Sequence, residues 1–252
     1  MNTRILTLLI VFAASPAQAG NDEPKTNPRS GAPTEWGEAL DLDMLFGQVL
    51  IDRLEASRAN DQNGYVWDAQ AWYGGDFNKI WVKTEGEGLQ GQGPEAGDVE
   101  VLYSRNVAAF WDLQAGIRYD ARPKPERAAL ALGVQGLAPY LFEVDATAYL
   151  REGGLLSASF QAEYDLLLTQ RVVLQPRIEF SLQSEDDLPT GTGAGLTSSA
   201  LGIRLRYEIR REFAPYIGFS WGQAYGETAT LRRAAGEATS TNALVVGIRA
   251  WF

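Results

Sequence analysis

Long stretches of this chain alternate apolar and polar residues with a period of two, over runs about twice the five or six residues of an average soluble strand. Segment 171–183 shows it most fully. Val172, Leu174, Pro176, Ile178, Phe180 and Leu182 share one face, and Arg171, Gln175, Arg177, Glu179, Ser181 and Gln183 the other, with Val173 the single mismatch. Leu156, Ala158, Phe160, Ala162, Tyr164, Leu166 and Leu168 alternate with Ser157, Ser159, Gln161, Glu163, Asp165 and the apolar Leu167. Ile203, Leu205, Tyr207 and Ile209 alternate with Arg204, Arg206, Glu208 and Arg210. Runs of this length suit tilted strands that cross a bilayer, which need about nine to eleven residues, apolar toward lipid and polar toward a lumen. A soluble sandwich or lipocalin-like barrel would turn the apolar face inward and use shorter strands with more surface Lys.

The amino terminus supports that placement. Asn2, Thr3 and Arg4 give a positively charged start, residues 5–14 are apolar apart from Thr7, and Ala17-Gln18-Ala19 puts small residues where a signal peptidase reads. The apolar run is about half the roughly twenty residues of a spanning helix, so it reads as a cleaved secretory signal ending at Ala19. From 20 to 44 the composition shifts to Pro24, Pro28, Pro33, Gly31, Gly37 and charge. That segment buries too little to order itself and is expected to be a flexible periplasmic tail. The barrel proper is then 45–252, in a bacterial outer membrane and in contact with its lipid.

Twelve strands are expected, near 45–58, 64–74, 78–88, 97–107, 110–120, 127–137, 140–150, 155–168, 171–183, 197–211, 214–225 and 241–252. Tight connections at 75–77, 108–109, 138–139, 169–170 and 212–213 alternate with looser ones at 59–63, 88–97, 121–126, 184–195 and 226–240. Short turns on one side and longer loops on the other are the outer-membrane pattern. Gln48, Asp52 and Arg53 break the phase of the first strand, so a ten-strand count stays open. Counting back from the end, Phe252, Ala250, Ile248, Val246 and Leu244 share an apolar face, a terminal signal of the kind barrel-assembly machinery reads. Tyr73, Trp111, Tyr119, Tyr164, Tyr207 and Trp221 fall near strand ends on the outer face, where amphipathic rings suit headgroups.

The phase assigns Asp68, Lys83, Glu85, Glu100, Asp112, Arg118, Glu143, Asp145, Glu163, Asp165, Arg177, Glu179, Arg204, Arg206, Glu208, Arg210 and Arg249 to the lumen. Such a mixture either cross-links the wall through ion pairs or lines a constricted, cation-biased path. Arg118, Arg204, Arg206 and Glu208 are the candidates for closing it. The chain has no Cys and no His, which removes thiolate and imidazole metal sites and serine–histidine catalysis. Its 32 Asp+Glu against 22 Lys+Arg argue against a nucleic-acid partner. Paired carboxylates, Glu163 with Asp165 or Glu143 with Asp145, remain the available acid–base groups. Ion pairing explains them more simply, and no enzyme activity is expected.

Particular strings resemble the outer-membrane copper resistance protein B family. One is Tyr164-Asp165-Leu166-Leu167-Leu168-Thr169-Gln170-Arg171-Val172-Val173-Leu174-Gln175-Pro176-Arg177, and another Leu205-Arg206-Tyr207-Glu208-Ile209-Arg210-Arg211-Glu212-Phe213-Ala214-Pro215-Tyr216-Ile217-Gly218. Shorter matches are Leu102-Tyr103-Ser104-Arg105, Ala115-Gly116-Ile117-Arg118-Tyr119-Asp120, Gly136-Leu137-Ala138-Pro139-Tyr140, Lys83-Thr84-Glu85-Gly86-Glu87 and Trp251-Phe252. The resemblance implies an outer-membrane barrel in copper homeostasis, with copper ion as its ligand and a periplasmic copper-handling partner. Members often carry a Met- and His-rich tail, suited to Cu(I) and Cu(II). Here the tail offers Met44 and carboxylates, so no ligand set transfers. Met44, Glu143, Asp145, Glu163 and Asp165 are the weak metal candidates. The alternative is a narrow, non-specific cation pore or a structural barrel without copper specificity.

Overall fold

A computed structural model describes residues 45–59 and 62–252. The expected signal sequence, the tail and Met44 lie outside the described residues. The described chain forms one antiparallel sheet that closes on itself. Its segments are β1 (Phe46–Ala59), β2 (Gln62–Gly74), β3 (Asn78–Leu89), β4 (Pro94–Ala108), β5 (Trp111–Arg122), β6 (Arg127–Ala138), β7 (Phe142–Arg151), β8 (Leu156–Glu163), β9 (Leu166–Leu167), β10 (Val172–Gln183), β11 (Gly195–Tyr207), β12 (Phe213–Ala224) and β13 (Ser240–Trp251). Neighbours in sequence pair in order, and β13 returns to β1 with Leu50 opposite Trp251. β8 and β9 both pair with β10 and are two parts of one wall strand, so the barrel has twelve. The interruption at Tyr164 and Asp165 faces Pro176, which has no amide hydrogen to donate to the ladder, although its carbonyl accepts from Tyr164 N at 3.1 Å.

Alternation decides what faces what. Leu130 and Leu132 on β6 are 63% and 57% exposed, while Ala129 and Ala131 between and beside them are 4% exposed. The same outward apolar row runs through Ile80 and Val82, Val99 and Val101, Ile203 and Leu205, and Leu244 and Val246. A wall whose apolar side is the exposed side is built for lipid, since water outside would leave it unpartnered. No helix among the described residues is long and apolar enough to span a membrane.

The phase break in the first strand is a β-bulge. Ile51 pairs with Ala69 and Arg53 with Asp68, which leaves Asp52 as the extra residue. Asp52 at the bulge points inward, and so do Arg53 and Glu55 after it, so two consecutive charges enter the lumen.

Three expected connections are revised: β1 runs to Ala59 and β2 starts at Gln62, so the looser connection expected at 59–63 shortens to 60–61. β3 and β4 run on to residues 89 and 94, so the expected loop at 88–97 shrinks to 90–93. β11 ends at Tyr207 rather than 211, which puts Arg210 exposed in the turn before β12. Length asymmetry is carried chiefly by two connections, 184–194 and 225–239. The second holds α1 (Gly226–Ala234), which packs on the first. Gly193 N donates to Thr228 Oγ1 at 2.9 Å, and a Cβ at Gly193 would stand 2.5 Å from that of Glu227. Arg127 on β6 grips Asp187 of this cap through both terminal guanidinium nitrogens, one to each carboxylate oxygen.

Candidate functional site: an acidic lumen between two cross-ties

Two ties span the barrel interior. From β10, Arg177 donates to Asp52 on β1 at 3.0 Å, to Asp68 on β2 at 3.2 Å and to Gln161 on β8 at 2.5 Å. It also lies 2.6 Å from Glu179 and 3.5 Å from Glu163. Arg53 on β1 runs the other way, to Asp68 at 3.1 Å and Glu179 at 3.3 Å, and Arg249 on β13 caps Asp52 at 2.8 Å. The second tie is Lys83 on β3, whose Nζ donates to Asp145 on β7 at 2.7 Å and to Gln114 on β5 at 3.0 Å.

Outside each tie the lumen is filled. On the β11–β13 side, Glu55 is 4% exposed and accepts from Arg204 at 2.6 Å and Tyr216 at 3.0 Å, while Arg206 reaches Asp165 at 2.5 Å. On the β4–β7 side, Arg118 holds Asp98 and Glu100 at 3.1 Å and Asp120 at 2.6 Å, and its guanidinium sits 4.7 Å from the Tyr149 ring centre. Tyr149 donates to Glu100 at 2.8 Å, Arg151 to Asp120 at 2.9 Å, and Asp112 accepts from Asn106 at 2.9 Å. Leu102, Ala129, Ala131 and Tyr149, with Trp81 against them, form an apolar cluster here. The small inward residues of β6 make room for it.

Between the ties lies a cavity of about 450 Å³. Asp52, Asp68, Glu85, Asp98, Glu100, Glu143, Asp145, Glu163 and Glu179 line it, against Lys83 and Arg249 alone as cations. Glu85 and Glu143 are exposed, and Glu143 stands opposite Glu163 in register. The acid–base pairs suggested by sequence are split among different cations. Glu163 goes with Arg177, Asp165 with Arg206, and Asp145 with Lys83 and Thr147.

The residues expected to close the lumen do not cross it. Arg118 binds along its own wall, Arg204 and Arg206 fill one side, and Glu208 lies past the end of β11, paired with Arg211 at 2.8 Å in the turn. Arg177, Arg53 and Lys83 do the crossing. Sequence reasoning missed Asp52, Arg53 and Glu55 because the bulge inverts their phase, and Asp98 and Asp120 because they sat at its strand ends. Among the described residues no three Asp, Glu, His or Cys side chains converge as a metal shell.

Residues 45–252 match the model of the copper resistance protein B precursor family. The chain is 46% identical over 216 residues to copper resistance protein B of Escherichia coli, covering 86% of this chain and 73% of that one. It is 41% identical over 203 residues to the copper resistance protein B homolog of Pseudomonas syringae pv. tomato, covering 81% and 69%. The NanC porin shares the fold, with a TM-score of 0.54 at 11% identity over 79% of this chain and 98% of that one. The family match takes in every strand of the barrel and both of its lumen ties, and the chain belongs to the copper resistance protein B family.

Proposed function

We propose that this barrel contributes to copper homeostasis and resistance by admitting copper cations to the acidic cavity between its two ties, where they are sequestered or passed on. The carrying observation is the cavity's lining of nine carboxylates, against five cations that pair with them, Arg53, Lys83, Arg118, Arg177 and Arg249. In a confined lumen such an excess concentrates cations. Carboxylate oxygens suit Cu(II) and offer nothing soft to Cu(I). Copper is cargo in this reading, held loosely enough to leave, and no catalytic step is involved. Export would follow cleavage after Ala19, and assembly would follow recognition of the last strand. Phe252 is 73% exposed there and exchanges backbone hydrogen bonds with Val49 at 2.9 and 3.1 Å. A periplasmic copper-handling protein would meet the barrel at its short-turn end.

The test is growth and cell-associated copper across a copper series in a deletion strain, its complemented parent and a zinc-challenged control. A copper-selective defect with altered copper content supports the reading, and the sign of the change gives the direction of movement. Equal behaviour under zinc favours the second reading, a non-specific cation pore or structural barrel, which the lack of a converged metal shell among the described residues supports. The mature chain is also expected to titrate with copper weakly. A stoichiometric, submicromolar isotherm would contradict that.

A further inference from the structure

Of the two lumen ties, only one is made by a side chain that is free to let go. Arg177 is 3% exposed and fixed by a planar fork among acceptors on four strands. Lys83 is a point charge on a flexible stem with two acceptors, and its side chain keeps 18% of its exposure. We propose that Lys83 is a tethered counter-cation, whose ammonium occupies at Asp145 the place of a mobile cation and is displaced when one enters the cavity. This makes Lys83 a specificity-determining residue, and it rests on reading the cavity as a cation path.

The surroundings allow the exchange. Gln114 is 1% exposed and fixed by donating to Gln135 at 2.9 Å, and Thr147 holds the other oxygen of Asp145 at 2.9 Å. Neither acceptor therefore follows the ammonium when it leaves. The Trp81 ring centre is 5.7 Å from Nζ and gives the ammonium a second resting place on its π face. The Lys83–Asp145 pair is partly open, with the Asp145 side chain 26% exposed, so an ion of like charge can reach its carboxylate from the cavity. With Lys83 withdrawn, Asp145 joins Glu85 and Glu143 as a cavity carboxylate without an ion pair among the described residues.

The test is single-channel recording of the full refolded chain in planar bilayers under a potassium chloride gradient, with heat-modified gel mobility reporting that each variant is folded. K83M is expected to raise conductance roughly threefold and move the reversal potential toward the potassium limit. K83R, which can grip Asp145 through two bonds, is expected to conduct no better than the parent. D145N releases the ammonium into the cavity and is expected to move the reversal potential toward chloride, which tests the idea without K83M. An unchanged reversal potential in folded K83M, a shift toward chloride, or silence in both parent and K83M would overturn the proposal. Potassium currents are independent of copper resistance. A K83M shift with no copper phenotype on deletion would retain the tethered cation and reject copper as cargo.

Discussion

Replacing Arg177 by alanine is expected to lower the stability of the folded barrel by about 3–5 kcal/mol, because one guanidinium neutralises a group of carboxylates that water does not reach well. Asp52 and Glu163 are 8% and 7% exposed, and both lose their Arg177 contact, as do Asp68 and Glu179. Arg53 and Arg249 still hold part of the group, so the barrel is weakened and its lumen swollen rather than abolished. R177K should recover only a fraction, since one ammonium cannot present donors to Asp52, Asp68 and Gln161 together. Adding E179Q to R177A should restore part of the loss by removing one stranded charge. Urea unfolding in lipid vesicles, followed by tryptophan fluorescence, measures all three. A loss under about 1 kcal/mol for R177A would show that the tie is ornamental, as exposed ion pairs are.

Leu132→Arg is expected to lower stability by about 2–4 kcal/mol and to cut sharply the fraction of chain that folds into vesicles. Leu132 lies mid-strand on β6, is 57% exposed, and shares its face with Leu130 and Val134. On a water-facing surface the same change would move stability by less than about 0.5 kcal/mol, so the measurement decides what the wall faces. E152R, in the connection after β7, serves as the comparison and should fold like the parent. Equal folding of L132R and E152R would remove the lipid-facing wall from the account.

The wall was readable because a period of two is a local property. Residues 171–183 marked β10 to within one residue, and Leu244, Val246 and Phe252 of the last strand's expected outward row are exposed, whereas Ala250 in the same row is buried. What was not readable depended on pairing. A bulge at Asp52 is defined by the partner strand, and without it the charges of β1 look like noise. Pro176 was visible, but its effect lies on β8, which stops opposite it. α1 hides in a segment with no apolar stripe. Its signal was weaker, an acid at Glu227 in the first turn and Arg232 and Arg233 in the last, which suits the helix dipole. The polar lining was legible as a list of charges, whereas the choice of Arg177 and Lys83 as the residues that cross the lumen needed the closed ring.

The bulge on β1 also sets an order of events during assembly. Through it, the opening strand commits Asp52, Arg53 and Glu55 to partners that are synthesised last: Arg249 lies 197 residues away, Arg204 149 and Glu179 126. Contacts of such sequence separation form late, after the intervening hairpins have lined up. A half-built sheet therefore leaves Asp52 and Glu55 open to water and holds Arg53 only through Asp68 on the neighbouring β2. When β13 meets β1, joining the seam brings Arg249 to Asp52, so closure of the barrel and completion of this part of the charge network are a single step.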